Sequence, residues 1–224
     1  MRIYEAPGSG PIIEDFYQQI LVPSFPADEL ISLDEVQESA DRGDASIWLA
    51  EDADGTILAG AIAEWDDSVR VLLLSYLAVR PGIRGGGIGG PLYLTALDSW
   101  RRRFKPCLIL AEIEDPEVHG GSEDHGDPAA RLRFYVNRGS RILDFPYFQP
   151  ALHPGVERVS GLLLIALHVD PEFAGAGGAD TIDAAVVRKY LENYQTQYEG
   201  KVATDDQAMI TWRALDRPEG VRLR

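Results

Sequence analysis

This 224-residue sequence contains one cysteine, three lysines and no long apolar run. A lone thiol, Cys107, can close neither an internal disulfide nor a zinc site, and it suits a reducing compartment. No apolar stretch approaches the ~18 residues that a spanning helix needs, so no membrane insertion is expected. Met1–Gly10 has no basic segment leading into an apolar one, so no secretory leader is expected and the cytoplasm is the anticipated location. Basic charge is also scarce. Against 21 Lys and Arg stand 36 Asp and Glu, for a net charge of −15. Such a surface repels a phosphate backbone at long range, which argues against a nucleic-acid partner and mildly favours cationic ones.

What is present is an ordinary globular balance, 45% hydrophobic and 25% charged. At about 150 residues per domain the length suggests one domain with elaborations. The expected division is a core over 1–170, then a linker, helix and tail over 171–224 that pack on the same domain or form a homodimer contact. Three lysines leave 18 arginines, and Arg80, Arg84, Arg101, Arg102, Arg103, Arg131, Arg133, Arg138 and Arg141 lie in one central stretch. A globally acidic chain can thus bind an anionic cofactor at its centre.

Local signals predict the elements. Pro11 in a first turn starts a helix to Val22, closed by Pro23 and Pro26. Ser32-Leu33-Asp34-Glu35 is a capping box for a helix to about Asp41. Ile47–Glu51, Thr56–Trp65 and Val69–Val79 read as an antiparallel meander with Asp54-Gly55 as its first turn. Pro91–Phe104 places Leu92, Ala96, Leu97, Trp100 and Phe104 on one helical face. Cys107–Ile113 follows as a strand parallel to Val69–Val79. Asp127-Pro128 starts a helix ending at Gly139. Arg141–Phe148 and Gly161–Val169 read as strands, Pro171–Asp180 as a linker and Thr181–Tyr198 as a long helix with Ile182, Val186, Tyr190 and Tyr194 on one stripe.

The most informative segment joins a buried strand to a helix start: Val79-Arg80-Pro81-Gly82-Ile83-Arg84-Gly85-Gly86-Gly87-Ile88-Gly89-Gly90-Pro91. Six of the nine residues from Gly82 to Gly90 are glycine. Glycines let successive backbone N–H groups converge on one point, and the helix dipole adds positive potential there. That combination cradles phosphate. A Walker-type loop requires Lys-Ser/Thr after its last glycine, and Gly90-Pro91 stands there instead. Gly85-x-Gly87-x-x-Gly90 also fits a dinucleotide fingerprint, with Glu112 placed where a ribose-binding acid belongs. However, five residues separate the strand from that pattern, and the strand ends a meander. A nicotinamide-dependent oxidoreductase is therefore the remote alternative.

The segment resembles the pyrophosphate loop of the GNAT superfamily, the acyl-CoA-dependent N-acetyltransferases, whose Arg/Gln-x-x-Gly-x-Gly/Ala is matched by Arg84, Gly87 and Gly89. A second block agrees: Phe134-Tyr135-Val136-Asn137-Arg138-Gly139 is similar to the family's Phe/Leu-Tyr-x-x-x-Gly. Element order matches over roughly Ile12 to Val169. The resemblance implies an α/β fold with a mixed, mostly antiparallel sheet, a central splayed pair of parallel strands and helices on both faces. It implies acetyl-CoA as co-substrate, with the backbone of Leu77, Ala78 and Val79 pairing with the pantetheine arm. The N–H groups of Arg84, Gly85, Gly86, Gly87, Ile88, Gly89 and Gly90 would hold the pyrophosphate. It implies transfer of acetyl to an amine by direct attack through a tetrahedral intermediate, with Tyr135 as general acid toward the thiolate. A CoA-binding module without turnover is the alternative within the same fold.

An attacking amine must lose a proton, so a base is required. Glu112 and Glu114, which share a strand face by alternation, are candidates, as is Glu64 on the meander. By resemblance Phe25 and Glu29, between the first two helices, would line the acceptor side. Small amines, aminoglycosides, amino acids and protein amino groups all fit, and the acidic charge leans toward a cationic one. His119 and His125 lie in the acidic loop Glu114–Asp127. Its glycines favour a mobile acidic lid or a plain surface loop over a preformed metal site, and no bound metal is expected.

Overall fold

Local capping decides where the helices begin. In the computed structural model, which describes residues 1–121 and 126–224, Ser32 caps helix α2 (Leu33–Arg42). Its hydroxyl accepts from the Glu35 N–H, and the Glu35 carboxylate accepts from the Ser32 N–H at 2.9 Å. Gly43, at φ 85°, closes the helix in the left-handed conformation that glycine adopts without strain. Asp127 caps α4 (Pro128–Val136) with Pro128 in its first turn, as the sequence indicates.

The chain divides into two units. The first comprises Met1–Asp66 and Leu72–Pro106. Its strands β1 (Arg2–Glu5), β2 (Ala45–Glu51), β3 (Ile57–Asp66) and β4 (Val71–Val79) lie side by side in that order. The β1–β2 and β2–β3 pairings are antiparallel. Around them stand α1 (Pro11–Phe16), α2 and α3 (Gly89–Phe104). The expected first helix changes character midway. After Phe16 it widens into a π-helical segment, Tyr17–Leu21, in which the Val22 N–H reaches the Tyr17 carbonyl at 2.9 Å. The Tyr17 hydroxyl donates to the Ile31 carbonyl at 2.9 Å, fixing this segment to the start of α2. β1 was not expected, because four residues carry too short a pattern to read. Helix α3 begins at Gly89, two residues ahead of the proline thought to start it, because Pro91 is tolerated anywhere in a first turn.

Packing in this unit is close enough to require a glycine. Gly60 on β3 faces the Phe16 ring, and a Cβ there would lie 2.3 Å from it. Phe16 is fully buried and cannot swing into solvent. Gly60→Ala is therefore expected to cost about 1–3 kcal/mol, the usual penalty of overpacking, measured as a lower urea midpoint with unchanged slope.

The second unit comprises Asp67–Val71 and Cys107–Arg224. Its long strand β8 (Val159–Val169) pairs antiparallel with β5 (Leu108–Glu114) on one side and with β6 (Arg141–Ile142) and β7 (Tyr147–Gln149) on the other. The single strand expected over Arg141–Phe148 is thus broken in two. Pro146 lacks an N–H, and Leu143 instead bridges to Leu223. The segment expected as one helix from Thr181 is also divided. Thr181–Ile182 form β9, which pairs with β10 (Val221–Arg222). Helix α5 (Ala184–Glu199) starts only where the Asp183 carboxylate accepts from the Ala185 N–H at 2.9 Å. Its buried stripe is Val187, Tyr190, Leu191 and Tyr194, so Ile182 and Val186 are not part of it. Helix α6 (Asp206–Leu215) follows. Arg158, ahead of β8, binds Glu199 at 2.6 Å and Asp205 at 2.8 Å, tying the end of α5 to the cap of α6.

Candidate active site

In the first unit the glycine segment leads into α3. Gly85 and Gly87 have φ of 83° and 76°, and nothing lies within 4 Å of where a Cβ on either would stand. Residues 85–87 are exposed. Positive φ at alternate positions turns successive N–H groups toward one side, and the start of a 16-residue helix follows. These residues suit an anion such as a pyrophosphate. Pro91 adds no donor. Just ahead, Leu77, Ala78 and Val79 form the end of β4, with Ala78 buried and its neighbours partly exposed. The Val79 side chain packs toward Gly89, where a Cβ would meet it at 3.4 Å.

The segment between α1 and α2 is anchored in the same unit. Arg84 donates to the Ser24 hydroxyl at 3.0 Å. The Phe25 ring meets Tyr76 of β4 edge-on, with centroids 5.0 Å apart. The Tyr76 hydroxyl donates to the Glu29 carbonyl and accepts from the Ile31 N–H, both at 3.0 Å. Arg84 is thus tied to the segment through Ser24, Glu29 through a hydrogen bond to Tyr76, and Phe25 through its ring contact with Tyr76. Glu64 accepts from the Ser75 hydroxyl at 2.6 Å.

In the second unit the two strand carboxylates have different partners. Glu114 is bound by Arg131 of α4 at 2.7 Å. Glu112 is approached by neutral donors: the Tyr147 hydroxyl, Gln149 Nε2 at 2.9 Å, and the Tyr194 hydroxyl at 3.4 Å. The register explains the meeting. Glu112 lies opposite Leu164 and Tyr147 opposite Leu162, on the two sides of β8. A tyrosine is long enough to reach over one intervening strand to the carboxylate. Tyr194 arrives from α5, where it stacks on Tyr190 at 5.8 Å and meets Tyr198 edge-on at 5.3 Å.

Tyr135 sits on α4, buried to 5% exposure, with its ring edge-on to Phe134 at 5.1 Å. Its carbonyl accepts from the Arg138 and Ser140 N–H groups at 2.9 and 3.2 Å. Gly139, at φ 88°, makes this helix ending possible. That is the physical content of the Phe-Tyr-x-x-x-Gly pattern: the glycine turns the chain, and the turn fixes the tyrosine's backbone. Of the two histidines in the acidic loop, His125 lies outside the described residues. Among the described residues no group of three or more His, Cys, Asp or Glu is arranged to hold a metal ion.

Burial pushes the Tyr147 and Tyr194 phenols well above their ordinary pKa, and the neighbouring Glu112 charge adds to the shift. In the unfolded chain both ionise near pH ~10. Above that pH the folded state retains protons that the unfolded state has lost, so unfolding free energy falls as pH rises. Their contribution is complete below pH ~10 and disappears at more alkaline pH. Urea midpoints are expected to decline between pH 9 and pH 11, and less steeply in Tyr194→Phe; equal slopes would contradict this assignment.

Residues 14–119 match the Acetyltransferase (GNAT) family. A GNAT-family protein of Bacteroides thetaiotaomicron superposes with a TM-score of 0.62 at 22% identity, over 87% of this chain and 99% of that one. Aminoglycoside 6'-acetyltransferase type Ii gives 0.53 at 19% identity, over 76% of this chain and 100% of that one. An uncharacterised protein of Dictyostelium discoideum is 37% identical over 73 residues; the match covers 33% of this chain and 17% of that protein's length. Residues 14–119 thus match the GNAT acetyltransferase family model, and the chain has the mixed α/β fold with a mostly antiparallel sheet seen in the GNAT-family structure it superposes on. Acetyltransferases of this family use acetyl-CoA as co-substrate. No helix among the described residues is long and apolar enough to cross a membrane.

Proposed function

We propose that this protein is an N-acetyltransferase that moves acetyl from acetyl-CoA to an amine. The observation that carries the reading is the exposed glycine segment Gly85–Gly87, open at two left-handed positions, leading into α3 within the family match. Acetyl-CoA supplies an acetyl group activated as a thioester. The N–H groups of Arg84 to Gly90 hold its pyrophosphate, and the backbone of Leu77, Ala78 and Val79 pairs with its pantetheine arm.

Glu112 takes a proton from the acceptor nitrogen. As an amine attacks, its nitrogen gains positive charge and becomes strongly acidic, so a carboxylate can take the proton. Glu112 is favoured over Glu114 because an arginine already occupies Glu114. It is favoured over Glu64 because it stands among aromatic rings that suit a cation. The Tyr135 hydroxyl supplies a proton to the departing sulfur. Phe25 and Glu29 face the acceptor. Net charge −15 favours a cationic acceptor, and the single cysteine fits a cytoplasmic setting.

The test is release of free thiol from acetyl-CoA in the presence of a polyamine, an aminoglycoside, an amino acid or a peptide amino terminus. Amine-dependent release is the expected result. Thermal stabilisation by acetyl-CoA without release for any acceptor would favour the CoA-binding module instead.

A further inference from the structure

The pairing of β1 with β2 ends at Glu5, which lies opposite Trp48. One more bond follows, from the Ala6 N–H to the Ile47 carbonyl at 2.8 Å. Pro7 has no N–H to continue the ladder, and the chain turns off toward the end of α2. There Gly8 comes so close that a Cβ on it would lie 3.0 Å from the Asp41 amide nitrogen. The departure leaves a cavity of about 310 Å³ between β2, α2 and the last turn of α3, all within the first unit. Arg103, which lines it, stands 14 residues along α3 from Gly89, about 21 Å from the glycine segment at ~1.5 Å per residue.

The polar side of this cavity is fixed from the core. Trp100 Nε1 donates to the Ser46 hydroxyl at 3.0 Å, and Ser46 donates its one proton to Glu5 Oε1 at 2.6 Å. Trp100 and Ser46 are buried, at 1% and 2% exposure. A hydroxyl placed so deep is costly unless it makes its bonds. Arg103 Nη1 donates to the same Oε1. Glu5 Oε2 and the Nε and Nη2 groups of Arg103 have no hydrogen-bond partner among the described residues, and both side chains are partly exposed. Ala6, Pro7 and Ala40 supply apolar wall.

A carboxylate and a guanidinium held side by side form a dipole. Its complement is a ligand whose two opposite charges are equally close together. An α-amino acid carries its ammonium and carboxylate on one carbon and meets that condition. A polyamine would bring a second positive charge against Arg103, and a dicarboxylate a second negative charge against Glu5. The volume lies at the small end of the range for ligand sites, which suits a molecule of this size. We propose that the cavity is a second small-molecule site, for a neutral aliphatic α-amino acid: its carboxylate on the open N–H groups of Arg103, its ammonium on Glu5 Oε2, its side chain against Ala6, Pro7 and Ala40. The site is separate from the glycine segment and stands whether or not the chain transfers acetyl.

The experiment titrates the isotope-labelled full chain with L-valine and follows the backbone amides by NMR. Isobutylamine and isovalerate, which are valine without its carboxylate and without its ammonium, are titrated in parallel. Saturable shifts centred on the amides of Ala6, Gly8 and Ser46 are expected with valine, and affinity about 10- to 100-fold weaker with either single-charge analogue. Arg103→Gln should weaken valine binding by the same factor. Ala40→Leu, which keeps both charges and fills the cavity, should abolish it. Arg103 and Ala40 are both partly exposed, so neither variant is expected to unfold the chain, and an unchanged urea midpoint verifies that. No saturable shift up to the solubility of valine, shifts centred on Phe25 or Glu112 instead, an analogue that binds as tightly as valine, or undiminished binding in either variant would each overturn the proposal.

Discussion

Glu112→Gln is expected to lower kcat by about 10²- to 10⁴-fold, the range associated with loss of a general base, while the protein remains folded. The substitution is close to isosteric. Its carbonyl oxygen can still accept from Gln149 or a phenol, and its new NH₂ can donate to a phenol oxygen. What disappears is the charge and the capacity to hold a proton. Alanine would be a poorer probe, because it would leave the Tyr147 and Tyr194 hydroxyls and the Gln149 amide without this partner. Glu114→Gln is the control. That carboxylate is engaged by Arg131 at 2.7 Å with both side chains partly exposed, so its loss should cost under about 1 kcal/mol and change kcat little. Steady-state kinetics with circular dichroism on both variants checks the contrast. Equal losses would remove Glu112 from its assigned role.

Gly87→Val should act on cofactor binding and spare the fold. Gly87 has φ 76°, a conformation strained for a β-branched residue by about 1–3 kcal/mol. There is open space around it, so the effect is conformational and not a steric clash. Relief of the strain would rotate the neighbouring N–H groups out of convergence. Acetyl-CoA affinity is expected to fall by about 10- to 100-fold, with kcat at saturating cofactor much less affected. Because residues 85–87 are exposed, the urea midpoint should move little. Calorimetric titration with acetyl-CoA distinguishes this from unfolding. Unchanged affinity would mean that the Gly87 backbone does not contact the pyrophosphate.

Much of this was legible in the sequence where the determinants are local. The capping box at Ser32, the Asp127-Pro128 helix start, the turn at Gly55 and the glycine segment each act within a few residues, and each lies where it was expected. Phe134-Tyr135 and Gly139 were similarly readable, because helix, cap and turn are one local unit. The surroundings of Glu112 were not. Tyr147, Gln149 and Tyr194 stand 35, 37 and 82 residues from it, and only the pairing of β5 and β7 on either side of β8, with α5 packed alongside, brings them together. The signal was half present. Tyr190 and Tyr194 read as a packing stripe, and alternation along Tyr147–Gln149 places both side chains on one face. Neither pattern says which carboxylate they meet. The ribbon of β9 and β10 and the bridge from Leu143 to Leu223 depend on partners distant in sequence in the same way, whereas the break at Pro146 has a local cause, its missing N–H.

The central claim is that the chain binds acetyl-CoA through the Arg84–Gly90 segment, and the most direct measurement is the melting temperature with acetyl-CoA or NAD at matched millimolar concentration. A ligand at 100 times its Kd stabilises the native state by about 2.7 kcal/mol, and at roughly 2–4 °C per kcal/mol for a chain of this size Tm should rise by about 5–10 °C. The account predicts that rise with acetyl-CoA, a clearly smaller one in Gly87→Val, and none with NAD. A rise with NAD alone, or none with either ligand, would contradict it.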